Sequence, residues 1–339
     1  MRLSLISLVG NKAGEVYSFL LSLKEQENQN FEVILVVNKK TEAKSVFKVI
    51  QQFYNFFGSR LVVLVNSKNG SYQANLQSAF KIAKGDFVSV ANSDSAIKKW
   101  YVADLIEKAI RYNVDVLEFK PRLIGTIRFK PHERNQLDKV FDLNKDKIVY
   151  AYTFPFIFNK VFKKSLVKKV LKYNIETTND TKMCIELNYA LMLEAKKYKY
   201  LDYRLNREFI SSDLWLNPSA FLKTFNVLEK NVKQFYPKLT DEIKYAKYYF
   251  IKLLLTGFLS ETYFVYRHFY KTDKANLEEK RSKILVNKQK EMLNKIEQSP
   301  EFITFISSNP YMLVDNVESK MIKEPYKSLR NSKILDLLE

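Results

Sequence analysis

The stretch "KGDFVSVANSDSAIKKW" (residues 84–100) joins a short apolar run to a group of small polar side chains. Residues 87–91 have the apolar, β-prone character of a buried strand. The run stops at Asn92, Ser93, Asp94 and Ser95, residue types that commonly form turns. Their oxygens, with a single carboxylate among them, also suit a divalent cation such as Mg²⁺ or Mn²⁺. The stretch therefore predicts a strand that ends in either a plain turn or a cation site.

The flanking segments alternate between strand and helix patterns. Strand-like apolar runs occupy residues 2–9, 31–37, 60–65, 86–91 and 115–119. Apolar residues recur at helical spacing between them. This alternation predicts an α/β fold, with an open, mostly parallel sheet covered by helices on both faces. Ligands of such sheets bind beyond the carboxyl ends of the strands, which favours a ligand site at residues 92–95.

The composition restricts the function classes. The 339 residues include 56 Lys and Arg against 37 Asp and Glu, a formal net charge of +19. The resulting positive field attracts phosphates of nucleic acids, nucleotides or lipid headgroups, but it is equally compatible with a basic, solvated surface. Cys184 is the only cysteine, and His132 and His268 are the only histidines. These counts argue against disulfides, zinc sites and a Ser-His-Asp triad, and no dinucleotide-binding or P-loop motif is present.

Helical patterns dominate residues 211–339, which we expect to form a helical C-terminal region. Residues 248–266, "YYFIKLLLTGFLSETYFVY", are long enough to span a bilayer, but Lys252 and Glu261 oppose insertion. Two alternatives stay open: a helix lying in an anionic membrane surface, or a buried helix. The N-terminus lacks a secretory pattern. The expected location is therefore cytoplasmic, and peripheral on the inner face of the cell membrane under the first alternative.

Several phrases, in order, resemble the family-2 glycosyltransferases of bacterial glycolipid and polysaccharide synthesis. They are "LISLVGN", "NFEVILVVNKK", "AKGDFVSVANSDS", "FNKVFKKSLVKK" and "TNDTKMCIELNYALMLEAKK". The resemblance covers residues 1–210 and implies a GT-A fold domain there. It implies an inverting enzyme that moves a hexose from a nucleotide sugar, expected to be UDP-linked, to a hydroxyl of a lipid or glycan acceptor. No nucleic acid partner is expected from it.

The resemblance also assigns roles to individual residues. Asp94 would bind Mg²⁺ or Mn²⁺ beside the donor diphosphate, where a cation stabilises the charge that builds on the leaving phosphate. Asn11, Asn38 and Asn92 would contact the donor. Asp180 would be the general base that takes the acceptor proton.

Asp180 has a plainer interpretation as the N-cap of the following helix. Glu176 and Glu186 are the nearest substitutes for the base, and Glu186 is the weaker because it falls inside the predicted helix.

Two departures from the family pattern bear on activity. Val37 and Asn38 replace an expected acidic pair, and Ala74 stands where an arginine is expected. They leave open a rival interpretation, a catalytically degenerate GT-A protein that acts as a binding or scaffold module. A nucleic-acid-binding protein is the other rival, supported by charge alone and by no module motif.

Overall fold

The computed structural model describes residues 1–9, 12–38, 43–66, 71–176, 181–210, 216–270, 272–329 and 333–339, with the backbone alone at residues 38 and 43. The strands are β1 Leu3–Val9, β2 Phe31–Asn38, β3 Leu61–Asn66, β4 Phe87–Val90, β5 Ala96–Ile97, β6 Val116–Phe119, β7 Leu123–Gly125, β8 Val140–Asp142, β9 Lys160–Lys163, β10 Lys197–Leu201 and β11 Asn206–Ile210. The helices are α1 Ala13–Lys24, α2 Ala43–Phe57, α3 Tyr72–Ile82, α4 Tyr101–Tyr112, α5 Ile148–Tyr152, α6 Lys164–Lys169, α7 Ile185–Glu194, α8 Pro218–Phe235, α9 Thr240–Tyr248, α10 Leu255–His268, α11 Asp273–Glu297, α12 Pro300–Ser308, α13 Val317–Lys323, α14 Tyr326–Leu329 and α15 Ile334–Leu337.

The first of two compact units comprises Met1–Arg122, Gln136–Asp146 and Phe156–Phe209. Its main sheet has the strand order β3-β2-β1-β4-β9-β6-β10-β8. Strands β3, β2, β1 and β4 are parallel, β9 runs antiparallel to both β4 and β6, and β8 runs antiparallel to β10. Apolar faces of α1, α2 and α4 share one buried cluster with β1 and β2. The predicted α/β fold with a mostly parallel sheet is confirmed.

Gly85 belongs to the "KGD" phrase for a structural reason. Its N–H donates to Ser4 Oγ at 2.8 Å, and Glu32 Oε1 accepts from both Ser4 Oγ and the Lys84 N–H at 2.6 Å. A Cβ at position 85 would lie 2.5 Å from the backbone nitrogen of Ser4. Only glycine lets the chain approach β1 this closely just before it enters β4.

One sequence-based expectation is wrong. The "NKVFKKSLVKKVLKY" pattern predicts a helix over residues 159–173, but the structure has strand β9 followed by the short helix α6. Strand β9 fills the space between β4 and β6, where it pairs on both sides. This two-sided pairing outweighs the local helical spacing of the apolar residues.

The second unit comprises Leu123–Asn135, Lys147–Pro155 and Ile210–Glu339. It contains the predicted C-terminal helical region together with two earlier segments, while the domain boundary at residue 210 stays a prediction. Residues 248–259 are buried throughout, and Lys252 Nζ lies 2.8 Å from Glu297 Oε1. This burial supports the buried-helix alternative for that part of residues 248–266. Among the residues described, none of the helices combines the length and the apolar character that a membrane crossing requires.

Candidate active site

The polar group at residues 92–95 lies where β4 ends. The Ala91 N–H donates to the Ile6 carbonyl at 2.9 Å, and the Ser95 N–H donates to the Asn92 carbonyl at 2.9 Å, which closes a turn. Asn92, Ser93 and Ser95 are buried, whereas the side chain of Asp94 is 27% exposed. Residues 92–95 therefore form a turn, and Asp94 is the member of the turn that still reaches solvent and a possible ligand.

Glu208 holds this turn from a distant part of the chain. Strand β11 pairs antiparallel with β5, Arg207 opposite Ala96, and this register brings Glu208 beneath the turn. Asn92 Nδ2 donates to Glu208 Oε1 at 2.7 Å, and Ser95 Oγ donates to the other carboxylate oxygen. The Glu208 side chain is only 1% exposed. Three polar contacts, the third from Lys182, stabilise its buried charge.

Lys182 connects Asp94 with Glu208. Its Nζ lies 3.0 and 2.9 Å from the two oxygens of Asp94 and 2.8 Å from Glu208 Oε1. Burial disfavours the charged form, but the carboxylates of Glu208 and Asp94 outweigh it and raise the pKa of Lys182 above its usual value. Lys182 is therefore a cation held between two carboxylates.

A cleft of about 470 Å³ opens beside Asp94. Helix α1 lines it through Gly14, Ser18 and Ser22, and residues 93–97 line it together with Phe209. The exposed edge of Asp94 thus borders a space at the carboxyl end of the parallel strands, where ligands of α/β sheets bind.

The residues around Asp94 meet the requirements of a divalent cation only in part. No three Asp, Glu, His or Cys side chains within the described ranges are grouped so that they could hold a metal ion. Mg²⁺ commonly uses one or two carboxylates together with phosphate and water oxygens, so one carboxylate beside a phosphate ligand is sufficient. Asp94 fits this smaller requirement, provided that its carboxylate is released from Lys182.

The structure describes some of the predicted site residues and not others. It brings Asn92 and Asp94 together on one turn, with Asn92 anchored to Glu208. Asn38 ends β2, with only its backbone described, and Asn11 and Asp180 lie outside the described residues. Two residues that depart from the family pattern lie in the described part of the chain. Val37 is buried in β2, and Ala74 lies in the first turn of α3.

Two further expectations concern the general base: the N-cap interpretation of Asp180, and the substitutes Glu176 and Glu186. Helix α7 begins at Ile185 with Cys184 in the N-cap position, so the N-cap interpretation of Asp180 is wrong. Glu186 is fully buried and accepts the Glu176 N–H at 2.9 Å, which gives it a structural role and disfavours it as a substitute base. Glu176 is exposed.

Sequence reasoning missed Glu208 and Lys182. A signal for Glu208 exists in "NREFI", because Glu208 shares the buried face of β11 with Ile210, whereas Arg207 and Phe209 are exposed. An acidic residue on the buried face of a strand requires a partner. Lys182 lies between buried Thr181 and Met183 and carries no comparable local signal.

The family model described as "Glycosyl transferase family 2" matches residues 4–171. A comparison with curated protein sequences gave no match.

Solved structures resemble the chain over most of its length. S. aureus TarS 1–349 in complex with UDP-GlcNAc is 16% identical over 97% of this chain and 93% of its own, with a TM-score of 0.59. A longer S. aureus TarS structure is 19% identical, and the match covers 91% of this chain and 49% of that one, with a TM-score of 0.57. The mannosyltransferase PcManGT from Pyrobaculum calidifontis, in complex with GDP-Man and Mn²⁺, is 12% identical over 85% of this chain and 84% of its own, with a TM-score of 0.54.

At these identities the structural likeness establishes the fold, and the family model adds the class of protein. Residues 4–171 match the family, the strand order is that of an open mixed sheet, and the polar turn after β4 stands at its ligand-binding edge. The chain is therefore a glycosyltransferase whose N-terminal part is a family 2 domain of the GT-A fold.

Proposed function

We propose that this protein transfers a hexose, with inversion, from a UDP-linked sugar to a hydroxyl of a lipid or glycan acceptor. The observation that carries the proposal is the carboxylate of Asp94, presented to a cleft at the carboxyl end of β4. The solved structures that resemble the chain include a complex with UDP-GlcNAc and a complex with GDP-Man, which supports a nucleotide-sugar donor.

The proposed roles of individual residues rest on the resemblance to the family and agree with the chemistry of the reaction. Asp94 is the residue that would hold Mg²⁺ or Mn²⁺ next to the donor diphosphate. When bound, such a cation supplies Lewis-acid stabilisation of the leaving phosphate. Asn11, Asn38 and Asn92 contact the donor, and Glu208 fixes the Asn92 amide. Asp180 accepts the proton of the acceptor hydroxyl.

A membrane-associated acceptor is supported by the end of α10. Phe264, Phe269 and Tyr270 are exposed there, and Arg267 stands beside them. Exposed aromatic rings next to a cation suit the headgroup region of an anionic bilayer. We therefore propose peripheral binding at the cytoplasmic face of the membrane. Co-sedimentation with vesicles of phosphatidylglycerol and phosphatidylcholine, but not of phosphatidylcholine alone, is expected. The double variant F269S/Y270S should weaken it, and equal recovery with both vesicles would contradict the membrane proposal.

The donor proposal is tested by incubating the purified protein with a panel of nucleotide sugars, Mn²⁺ or Mg²⁺, and membrane lipid extract. Nucleoside diphosphate release is the readout, with Asp94→Ala as the matched variant. Release from a UDP-sugar that falls about 10²-fold or more in the variant is expected, the range seen when one preorganised electrostatic contact is lost. No release and no binding of any nucleotide sugar would favour the rival function, a degenerate GT-A binding module.

A further inference from the structure

Lys182 occupies the carboxylate at which the cation is proposed to bind. A lysine ammonium carries three N–H donors and no acceptor. Three carboxylate oxygens surround Lys182 Nζ at 2.8–3.0 Å, two from Asp94 and one from Glu208. Lys182 Nζ therefore donates to both oxygens of Asp94 and forms an ion pair with Glu208, so a phosphate can reach Lys182 only after one of these contacts is released.

From this arrangement we propose that Lys182 competes with the divalent cation for Asp94, so that the cation binds effectively only together with the donor diphosphate. The inference rests on the proposed function, since it concerns the same donor site. It assigns to Lys182 the role of a positioning residue that holds Asp94 in the donor-free enzyme.

The two carboxylates differ in how readily they can leave Lys182. Glu208 is 1% exposed and also accepts from Asn92 and Ser95, so it is fixed from several sides. The Asp94 side chain is 27% exposed and borders the cleft. The exchange of partners therefore takes place at Asp94, while Glu208 keeps Lys182 in the site.

The backbone on both sides of Lys182 is anchored. The Ile157 N–H donates to the Met183 carbonyl at 3.1 Å, and the Cys184 N–H donates to the Thr181 carbonyl at 3.2 Å. The exchange thus requires movement of the Lys182 side chain alone, which is long and has several rotatable bonds.

The net charge of Asp94, Glu208 and Lys182 explains why a divalent cation can still bind at Asp94 when it arrives with the diphosphate. Two carboxylates and one ammonium leave this trio with a net charge of −1, which disfavours a bare diphosphate and favours a cation that arrives with it. A cation alone must displace two charge-assisted hydrogen bonds at Asp94 for a single carboxylate in return. A cation that carries diphosphate oxygens as ligands keeps those ligands and gains Asp94 as well.

The test is Mn²⁺ binding without any sugar transfer, measured as loss of the free Mn²⁺ signal in electron paramagnetic resonance. The wild type should bind Mn²⁺ weakly alone and at least about tenfold more tightly with UDP. Lys182→Met should bind Mn²⁺ alone at least about tenfold more tightly than the wild type, the effect expected for loss of a competing charged hydrogen bond. Lys182→Arg keeps a cation on both carboxylates and should bind as weakly as the wild type.

Further variants keep the result interpretable. Addition of Asp94→Asn to Lys182→Met should abolish the gained Mn²⁺ affinity. If thermal unfolding shows that Lys182→Met is unfolded because Glu208 has lost its cation, K182M/E208Q removes the buried charge and is measured instead. Equal bare Mn²⁺ affinity in the wild type and in a folded Lys182→Met or K182M/E208Q protein would overturn the inference. Because no transfer is measured, an enzyme that lacks activity on every donor would refute the proposed function without deciding this one.

Discussion

Lys160 and Lys182 are both buried lysines of the first unit, and their surroundings differ. Lys160 Nζ lies 2.7 Å from the Phe156 carbonyl, 3.2 Å from Asn159 Oδ1 and 3.4 Å from Glu118 Oε1. The side chains of Lys160 and Glu118 are both fully buried within the sheet. Burial, offset only in part by Glu118, lowers the pKa of Lys160 to about 8.

Lys182 has two carboxylates at 2.8–3.0 Å, and its pKa is raised. The difference shows that the number and closeness of the carboxylates decide whether a buried ammonium is well compensated. Lys160 is fully buried in the sheet, where it contributes to the stability of the fold. Lys182, by contrast, pairs with Asp94, whose carboxylate borders an open cleft. Variants at the two positions should therefore separate stability from activity.

The largest effect is expected two residues before Lys182. Asp180→Asn removes the proposed base while keeping a polar side chain of the same size. We expect kcat to fall on the order of 10²–10⁴-fold, with an unchanged donor Kd. Because Cys184 occupies the N-cap position of α7, the variant should unfold at the wild-type temperature. Transfer at a near wild-type rate would place the base elsewhere.

On the structural side, Lys160→Met should lower the free energy of unfolding by about 3–5 kcal/mol, because Glu118 would keep a buried charge without its cation. Urea denaturation measures this change. The double variant K160M/E118Q removes that charge too and should recover part of the loss. If Lys160→Met is as stable as the wild type, Lys160 does not have the stabilising role that the comparison assigns to it.

The pH dependence distinguishes the two lysines further. A pKa near 8 in the folded state lies below the value near 10.4 of an unfolded lysine. Between these values the unfolded state binds more protons, so Lys160 makes stability rise with pH in this window. The stability difference between wild type and Lys160→Met should therefore grow by about 1–2 kcal/mol from pH 8 to pH 10, measured by urea denaturation at both. A difference that shrinks or stays constant would show that the folded pKa is not lowered.

The smallest effect is expected for Lys182→Arg. Arginine keeps a cation between Asp94 and Glu208, and it forms bidentate pairs with carboxylates. Because the buried pair stays ionic, the free energy of unfolding should change by less than the about 3–5 kcal/mol that loss of one partner of a buried ion pair costs. A much larger loss of unfolding free energy in denaturation experiments would indicate that the site fits lysine alone. Lys182 would then serve the stability of the fold, as Lys160 does.

The local pattern of the sequence was sufficient for much of the α/β core. Apolar runs and helical spacing predicted β1, α1, β2, α2, β3, α3, β4 and α4 in order, because each of these elements carries its own periodicity. The position of Asp94 at the carboxyl end of β4 followed from the same reasoning. The residues that match a family pattern also indicated the class of enzyme, which the family model supports.

Only the tertiary structure decided the partners of the turn that carries the Asp94 carboxylate. Glu208 lies 116 residues from Asn92 in sequence, and Lys182 lies 88 residues from Asp94. Their meeting depends on the pairing of β11 with β5 and on the anchored backbone around Lys182, neither of which has a local periodicity. The same holds for β9, whose residues have helical spacing but form a strand because β4 and β6 offer hydrogen bonds on both sides. Local patterns specify elements, whereas the contacts between elements specify which charges share a site.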